Sequence, residues 1–167
     1  MNQQLAYADG LDAVGAVLQN YAERGVFHDY RMTRRRHGGA EYHFGWLYGQ
    51  PFTVTCDEKH GRLAVTDLLP GVQRDSMMHK EIKAFLKGRA AVDVPEHRRV
   101  DPTLATASAR LRDGLLSLEL TLAGNAPEHG GYEYGARKIV NLTHELFLFM
   151  NEYWADYMWE NFRLNME

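Results

Sequence analysis

The dipeptide Asp113-Gly114 constrains the fold of this chain more than any other feature of its sequence. Asp-Gly favours a two-residue type I′ turn, and such a turn allows only one register for the two strands that it joins. The apolar pairs that this register places on one face are Leu111 with Leu116, Ala109 with Leu118, and Ala107 with Leu120. Because polar residues occupy the alternate positions, the sequence predicts a β-hairpin with one buried and one solvated face.

A second region of alternating residues precedes this hairpin. Residues 26–36 and 40–48 are separated by the glycines at 38–39, and the second segment alternates aromatic residues with others. Turn residues at 49–51 and 57–61 separate two more segments of the same kind. The sequence therefore predicts a four-stranded antiparallel meander.

Helical periodicity occurs before and after this meander. Asp9 can cap a first helix, whose apolar residues recur three or four positions apart until Gly25. Asp75 or Ser76 can cap a second helix that ends near Gly88. These two segments predict amphipathic helices that pack on the sheet.

The segment 132–163 contains no proline and carries its charged and amide residues on one stripe at helical spacing. This pattern predicts one long C-terminal helix with an interruption near Trp154. Its apolar face is wider than a helix lying on one sheet needs, so a second element of the chain or another subunit must cover the excess. The candidate interface residues on this face are Leu146, Phe147, Met150, Trp154, Tyr157 and Met158.

Together these elements predict an α+β fold, in the order helix, four-stranded antiparallel meander, helix, β-hairpin and long C-terminal helix. A length of 167 residues suits one domain with one hydrophobic core. We interpret residues 90–103, with Pro95 and Pro102, as a connection within a single domain 1–167. The pattern leaves open whether the two halves share one sheet.

Composition and charge exclude several classes of protein. A hydrophobic content of 45% with 25% charged residues is typical of a folded globular chain. The net charge of −3 is too small to indicate nucleic acid or an anionic membrane as the main partner. The lone Cys56 cannot form an internal disulfide, and the N-terminus lacks the pattern of a signal peptide. With no apolar run long enough to span a membrane, we expect a cytoplasmic protein.

The charges are unevenly distributed along the chain. Residues 61–112 contain ten Lys or Arg and six acids, whereas residues 113–167 contain three Lys or Arg and nine acids. Such an asymmetry favours antiparallel self-association or a charged partner.

No pattern in the sequence indicates a metal, a cofactor or a catalytic residue. Among the eight histidines, His144 is followed by Glu145, but the second histidine of a zinc-binding helix is missing. Cys56 falls on the buried side of its predicted strand, and no serine has the surroundings of a nucleophile. The dense basic cluster is Arg31, Arg34, Arg35, Arg36 and His37, and we interpret it as a solvated strand end rather than a nucleic-acid site.

One segment has the composition of an anion site. Glycines precede Arg137 and Lys138 at the start of the last predicted helix, and helix N-termini with nearby cations bind anions. The simpler interpretation is a loop and a helix start. The alternative hypothesis for function is therefore a small ligand- or anion-binding domain, or an enzyme, with a pocket near residues 130–138.

The order of the predicted elements resembles the type III secretion chaperone fold, which the YbjN-type bacterial proteins share. The local resemblance is a strand, the turn Asp57-Glu58-Lys59-His60-Gly61, a strand ending Asp67-Leu68-Leu69-Pro70, and an amphipathic helix. It covers about residues 9–90, and element order alone extends it further. The resemblance implies a non-enzymatic homodimer that binds an extended or partly unfolded polypeptide, as a chaperone-like adaptor.

Overall fold

The computed structural model describes residues 9–36, 38–124 and 131–162, and in these ranges it confirms the predicted α+β class. The helices are α1 (Gly10–Glu23), α2 (Met77–Gly88), α3 (Gly131–Tyr153) and α4 (Ala155–Phe162). The strands are β1 (His28–Arg34), β2 (Ala40–Trp46), β3 (Gln50–Asp57), β4 (Arg62–Leu69), β5 (Ala105–Arg112) and β6 (Leu115–Leu122).

The meander and the hairpin belong to one antiparallel sheet of six strands, in the order β1-β2-β3-β4-β6-β5. This answers the question that the sequence left open, since β4 of the first half pairs with β6 of the second. Asp113 and Gly114 have φ angles of 54° and 75°, as a type I′ turn requires, and the predicted hairpin register is confirmed. Because β6 pairs with β4 on one side and with β5 on the other, β5 lies at one edge of the sheet.

Helices cover one face of this sheet. α1 and α3 pack against each other, α1 contacts β1 and β2, and α3 contacts β4 and β6. The inward side chains of the central strands, such as Tyr42, Val54 and Leu118, are at most 1% exposed. The opposite face carries polar residues such as Thr55, which are partly exposed. The alternation in the sequence thus separates a helix-covered core from an open polar face.

The predicted caps of the first two helices are present. The Asp9 carboxylate accepts a hydrogen bond from the backbone N–H of Asp12 at 2.9 Å, and the Ser76 hydroxyl accepts one from His79 at 3.2 Å. Of the two residues proposed for the second cap, Ser76 is therefore the cap. α2 ends at Gly88, as expected.

The C-terminal helix is interrupted at Trp154, where its periodicity predicted a break. α2 lies antiparallel beside α3. Three contacts define this packing: Phe85 with Phe149 (ring centres 4.7 Å apart), Arg89 Nη2 with Glu145 Oε1 (2.7 Å), and Trp154 Nε1 with Glu81 Oε1 (3.0 Å). α2 packs against α3 on one side and against β5 on the other.

Candidate functional site

The structure gives the positions of the six predicted interface residues on the last helix. Leu146, Phe147, Met150 and Met158 are at most 1% exposed and belong to the hydrophobic core of one chain. Their wide apolar face is covered from within the chain, because α3 contacts α1, α2 and the sheet together. A buried core side chain offers no surface to a second subunit.

The other two predicted interface residues lie at the margin of the core. Trp154 is partly buried and donates its indole N–H to Glu81 Oε1 at 3.0 Å. Tyr157 is also partly buried, and its hydroxyl donates to the Pro70 carbonyl oxygen at 2.5 Å. Both side chains therefore attach the C-terminal helices to α2 and to the end of β4.

The predicted anion-binding pair does not converge on a common point. Lys138 is 8% exposed, and its Nζ donates to the His97 carbonyl oxygen at 3.0 Å and lies 5.5 Å from the centre of the Tyr134 ring. Burial lowers the pKa of Lys138, with smaller contributions from the neighbouring Arg137 and Arg99. Arg137 is exposed to solvent. Gly130, at the proposed pocket entrance, lies outside the described residues.

Of the remaining chemical candidates, Cys56 is buried, two members of the basic cluster are paired with acids, and Arg31 and Arg36 are exposed. Cys56 is fully buried, and burial raises the pKa of its thiol to about 12, which leaves no thiolate at neutral pH. In the basic cluster, Arg34 pairs with Asp9 at 3.1 Å and Arg35 pairs with Glu41 at 3.0 Å. Its member His37 lies outside the described residues.

Two searches of the described residues 9–36, 38–124 and 131–162 gave negative results. No group of three or more His, Cys, Asp or Glu side chains in these ranges could hold a metal ion. No helix within them has the length and apolar character that crossing a membrane requires.

A groove with a mainly apolar lining lies between α2 and the edge strand β5 and has a volume of about 430 Å³. We call it the β5 groove. It is lined by Lys83, Leu86, Lys87, Ala90, Val100 and residues 105–109. At the groove β5 turns the small side chains of Ala105, Ala107 and Ala109 toward the helices, whereas the neighbouring β6 turns leucines inward, and this difference in size leaves the space.

The backbone edge of β5 beside this groove is open. In a hairpin with a two-residue turn, Arg112 and Leu115 form the first hydrogen-bonded pair, so the backbone groups of residues 105, 107, 109 and 111 point away from β6. Arg74 caps the Leu111 carbonyl oxygen at 3.0 Å, and the Ala105 N–H donates to Asp101 at 3.0 Å. Within the described residues, the outward N–H and C=O groups of Ala107 and Ala109 have no partner.

The opposite edge of the sheet is built differently. β1 has an irregular register between His28 and Arg31, and Asp29 within it has a φ of 55°. Bulges of this kind twist a strand and obstruct pairing with a further strand. β5 pairs with β6 in unbroken register over its whole length, so no bulge interrupts this edge strand.

A second cavity of about 470 Å³ lies on the open polar face of the sheet. Its charged lining residues have both signs, and four of the seven belong to pairs. The pairs are Arg110 with Glu119 at 3.6 Å, Arg35 with Glu41 at 3.0 Å, and Asp57 with His60 at 2.7 Å. A mixed, internally paired surface of this kind is typical of a solvated sheet face.

Comparisons with known proteins identify no relative: no protein-family model matches the chain, and neither a curated protein nor a solved structure does.

The pairing of β5 with β6 was predicted from the sequence, but the groove was not. In the predicted hairpin, Ala107 and Ala109 face Leu120 and Leu118 on the buried side. The available signal was residue size, since three alanines in alternation on an edge strand cannot fill the space beside a helix.

Proposed function

We propose that this protein is a non-enzymatic, homodimeric polypeptide-binding module of the adaptor or chaperone-like kind. The single observation that carries the proposal is the open edge of β5 beside an apolar groove. An extended segment of a partner can add to such an edge as a further strand, through backbone hydrogen bonds, and place every second side chain in the groove. The expected resemblance to secretion chaperones points to the same class of ligand.

The dimer requires a surface other than the buried residues of α3. The outer sides of the helices expose large apolar side chains, namely Met77 (66%), Leu148 (50%), Tyr153 (61%) and Trp159 (46%). Exposed apolar residues of this size favour an interface. We propose that the second copy docks on this outer helical surface.

Charge complementarity supports a second copy as the occupant of that surface. On α2 the exposed cation Lys80 lies outside the β5 groove, and α3 and α4 carry the exposed acids Glu152, Asp156 and Glu160. A twofold axis would bring Lys80 of each chain against the acids of the other, which makes the interface self-complementary.

The dimer is tested by light scattering after size exclusion over a wide concentration range. We expect a dimer for the wild type and a shift toward monomer for Leu148→Glu, because a carboxylate would be buried at the interface. Val92→Glu is the matched control, since Val92 is 87% exposed and lies outside the helices, after the end of α2. A wild type that stays monomeric at every concentration contradicts the homodimer.

Polypeptide binding is tested by selecting peptides from a displayed library of random linear sequences. We expect the selected peptides to bind wild type and Ala109→Ser but to lose binding to Ala109→Pro. Proline removes the outward N–H of residue 109 and is tolerated on edge strands, whereas serine keeps the N–H and the small size. Failure to select any peptide, or equal binding to the proline variant, contradicts strand addition at β5.

A further inference from the structure

We infer that the segment bound at the β5 groove is acidic, with apolar residues at the alternate positions that face α2. The inference rests on the proposed function and specifies the chemistry of the partner. It follows from the side chains on the two sides of the open edge.

The side of the added strand that faces the helices meets an apolar surface. Leu86 and Val100 are each 2% exposed and, with Ala90, form the groove opposite the small side chains of Ala105 and Ala107. Branched aliphatic side chains of a partner would fill the space that the alanines leave, and burying each one favours binding. Polar side chains at these positions would lose hydration without finding hydrogen-bond partners in the groove.

The charged residues that line the groove and those of β5 itself are basic. Lys83 and Lys87 are exposed on the rim of the groove, and they are its two charged lining residues. On the outer face of β5, Arg110 and Arg112 are the charged residues of the strand. Arg110 is only loosely paired with Glu119, at 3.6 Å. Carboxylates at the solvent-facing positions and ends of the partner segment would therefore lie beside cations.

The same charges argue against a second copy of β5 as the occupant. Antiparallel pairing of two β5 strands would bring Lys83, Lys87, Arg110 and Arg112 of both chains together. Like charges at an interface disfavour association. The groove is therefore free for a hetero-partner when the outer helical surfaces form the dimer.

The test uses three fluorescein-labelled peptides of the length of β5, with blocked termini, in which Val alternates with Glu, Gln or Lys. Fluorescence anisotropy gives the Kd of each peptide for the full chain. We expect the Glu peptide to bind about tenfold more tightly than the Gln peptide at low salt, because several partly exposed charge pairs each contribute a little. The Lys peptide should bind more weakly than the Gln peptide.

Variants assign this preference to the outer face of β5, where the alternate side chains of an added strand point. The double variant Arg110→Gln/Arg112→Gln should bind the Glu and Gln peptides with Kd values within about threefold, since the charge pairs are lost. Arg24→Gln is the matched control, because Arg24 is also exposed but follows α1, which contacts β1 and β2 at the other edge of the sheet. It should preserve the preference.

The outcomes separate the two proposals. If the Gln peptide binds wild type as tightly as the Glu peptide, the acidic partner is excluded while polypeptide binding stands. If the preference for Glu persists in the double variant, the arginines of β5 do not recognise the partner and the inference fails. If none of the peptides binds, strand addition at β5 and the inference fall together.

Discussion

His79, at the start of α2, makes the stability of the protein depend on pH. The side chain is 4% exposed, and its Nδ1 accepts a hydrogen bond from the Asp75 N–H at 3.0 Å, which requires an unprotonated nitrogen. Burial lowers the pKa of His79 below its usual 6.5, and the nearby Lys83 adds to the effect. The unfolded chain therefore takes up this proton first as the pH falls, and the free energy of unfolding decreases below about pH 6.5.

Replacing His79 by asparagine tests this dependence, because the amide oxygen can accept the same hydrogen bond but does not titrate. We expect the free energy of unfolding, measured by urea denaturation, to fall more for wild type than for His79→Asn between about pH 7 and about pH 5. Parallel curves for the two proteins would show that His79 is not the responsible group.

Some features of the candidate sites could be predicted from the sequence, and others depended on which residues pack opposite one another. Periodicity places Lys138 on a helix beside Arg137, but it does not show that the loop containing His97 lies over the lysine. Cys56 was placed on the buried side by alternation alone, because the period of a strand is two. The groove beside the alanines of β5 could not be predicted, because it depends on the position of α2 opposite them.

At the scale of the element, the turn between β1 and β2 comes close to β3 at Gly39. This glycine has a φ of 84°, and an added Cβ would lie 2.8 Å from the Cys56 carbonyl oxygen. The adjacent Gly38 has a φ of 96°, but nothing lies within 4 Å of its Cβ position. The two positions therefore share the conformational constraint, and only one of them also has a steric constraint.

We expect Gly39→Ala to lower the free energy of unfolding by about 2 kcal/mol or more, and Gly38→Ala by about 1 kcal/mol. Chemical denaturation of the two variants under identical conditions measures the difference. Equal losses would mean that the strand ends adjust to the added methyl group without cost.

The residues of a turn predicted structure more precisely than the apolar face of a helix did. Asp113-Gly114 determined both the hairpin and its register, because positive φ angles at both residues leave few alternatives. The wide apolar face of the last helix admitted two explanations, internal packing or a second subunit. Internal packing accounts for its central residues, since α1 and α2 lie on opposite sides of α3.

At the scale of the whole molecule, the joining of the two halves could not be read from the sequence. Pairing of β4 with β6 is a long-range contact across the intervening α2, and no local signal specifies it. Yet this pairing leaves β5 at the edge beside α2. The candidate site is therefore a consequence of topology.

The central claim is that a polypeptide adds to β5, and nuclear magnetic resonance of the ¹⁵N-labelled chain tests it most directly. The probe is the peptide in which Val alternates with Glu, added stepwise to saturation. We predict that the amide N–H groups of Ala107 and Ala109 shift most, become protected from solvent exchange, and show contacts to the peptide backbone. Shifts concentrated around Arg137 and Lys138 or on the open polar face, with Ala107 and Ala109 unchanged, would contradict the account.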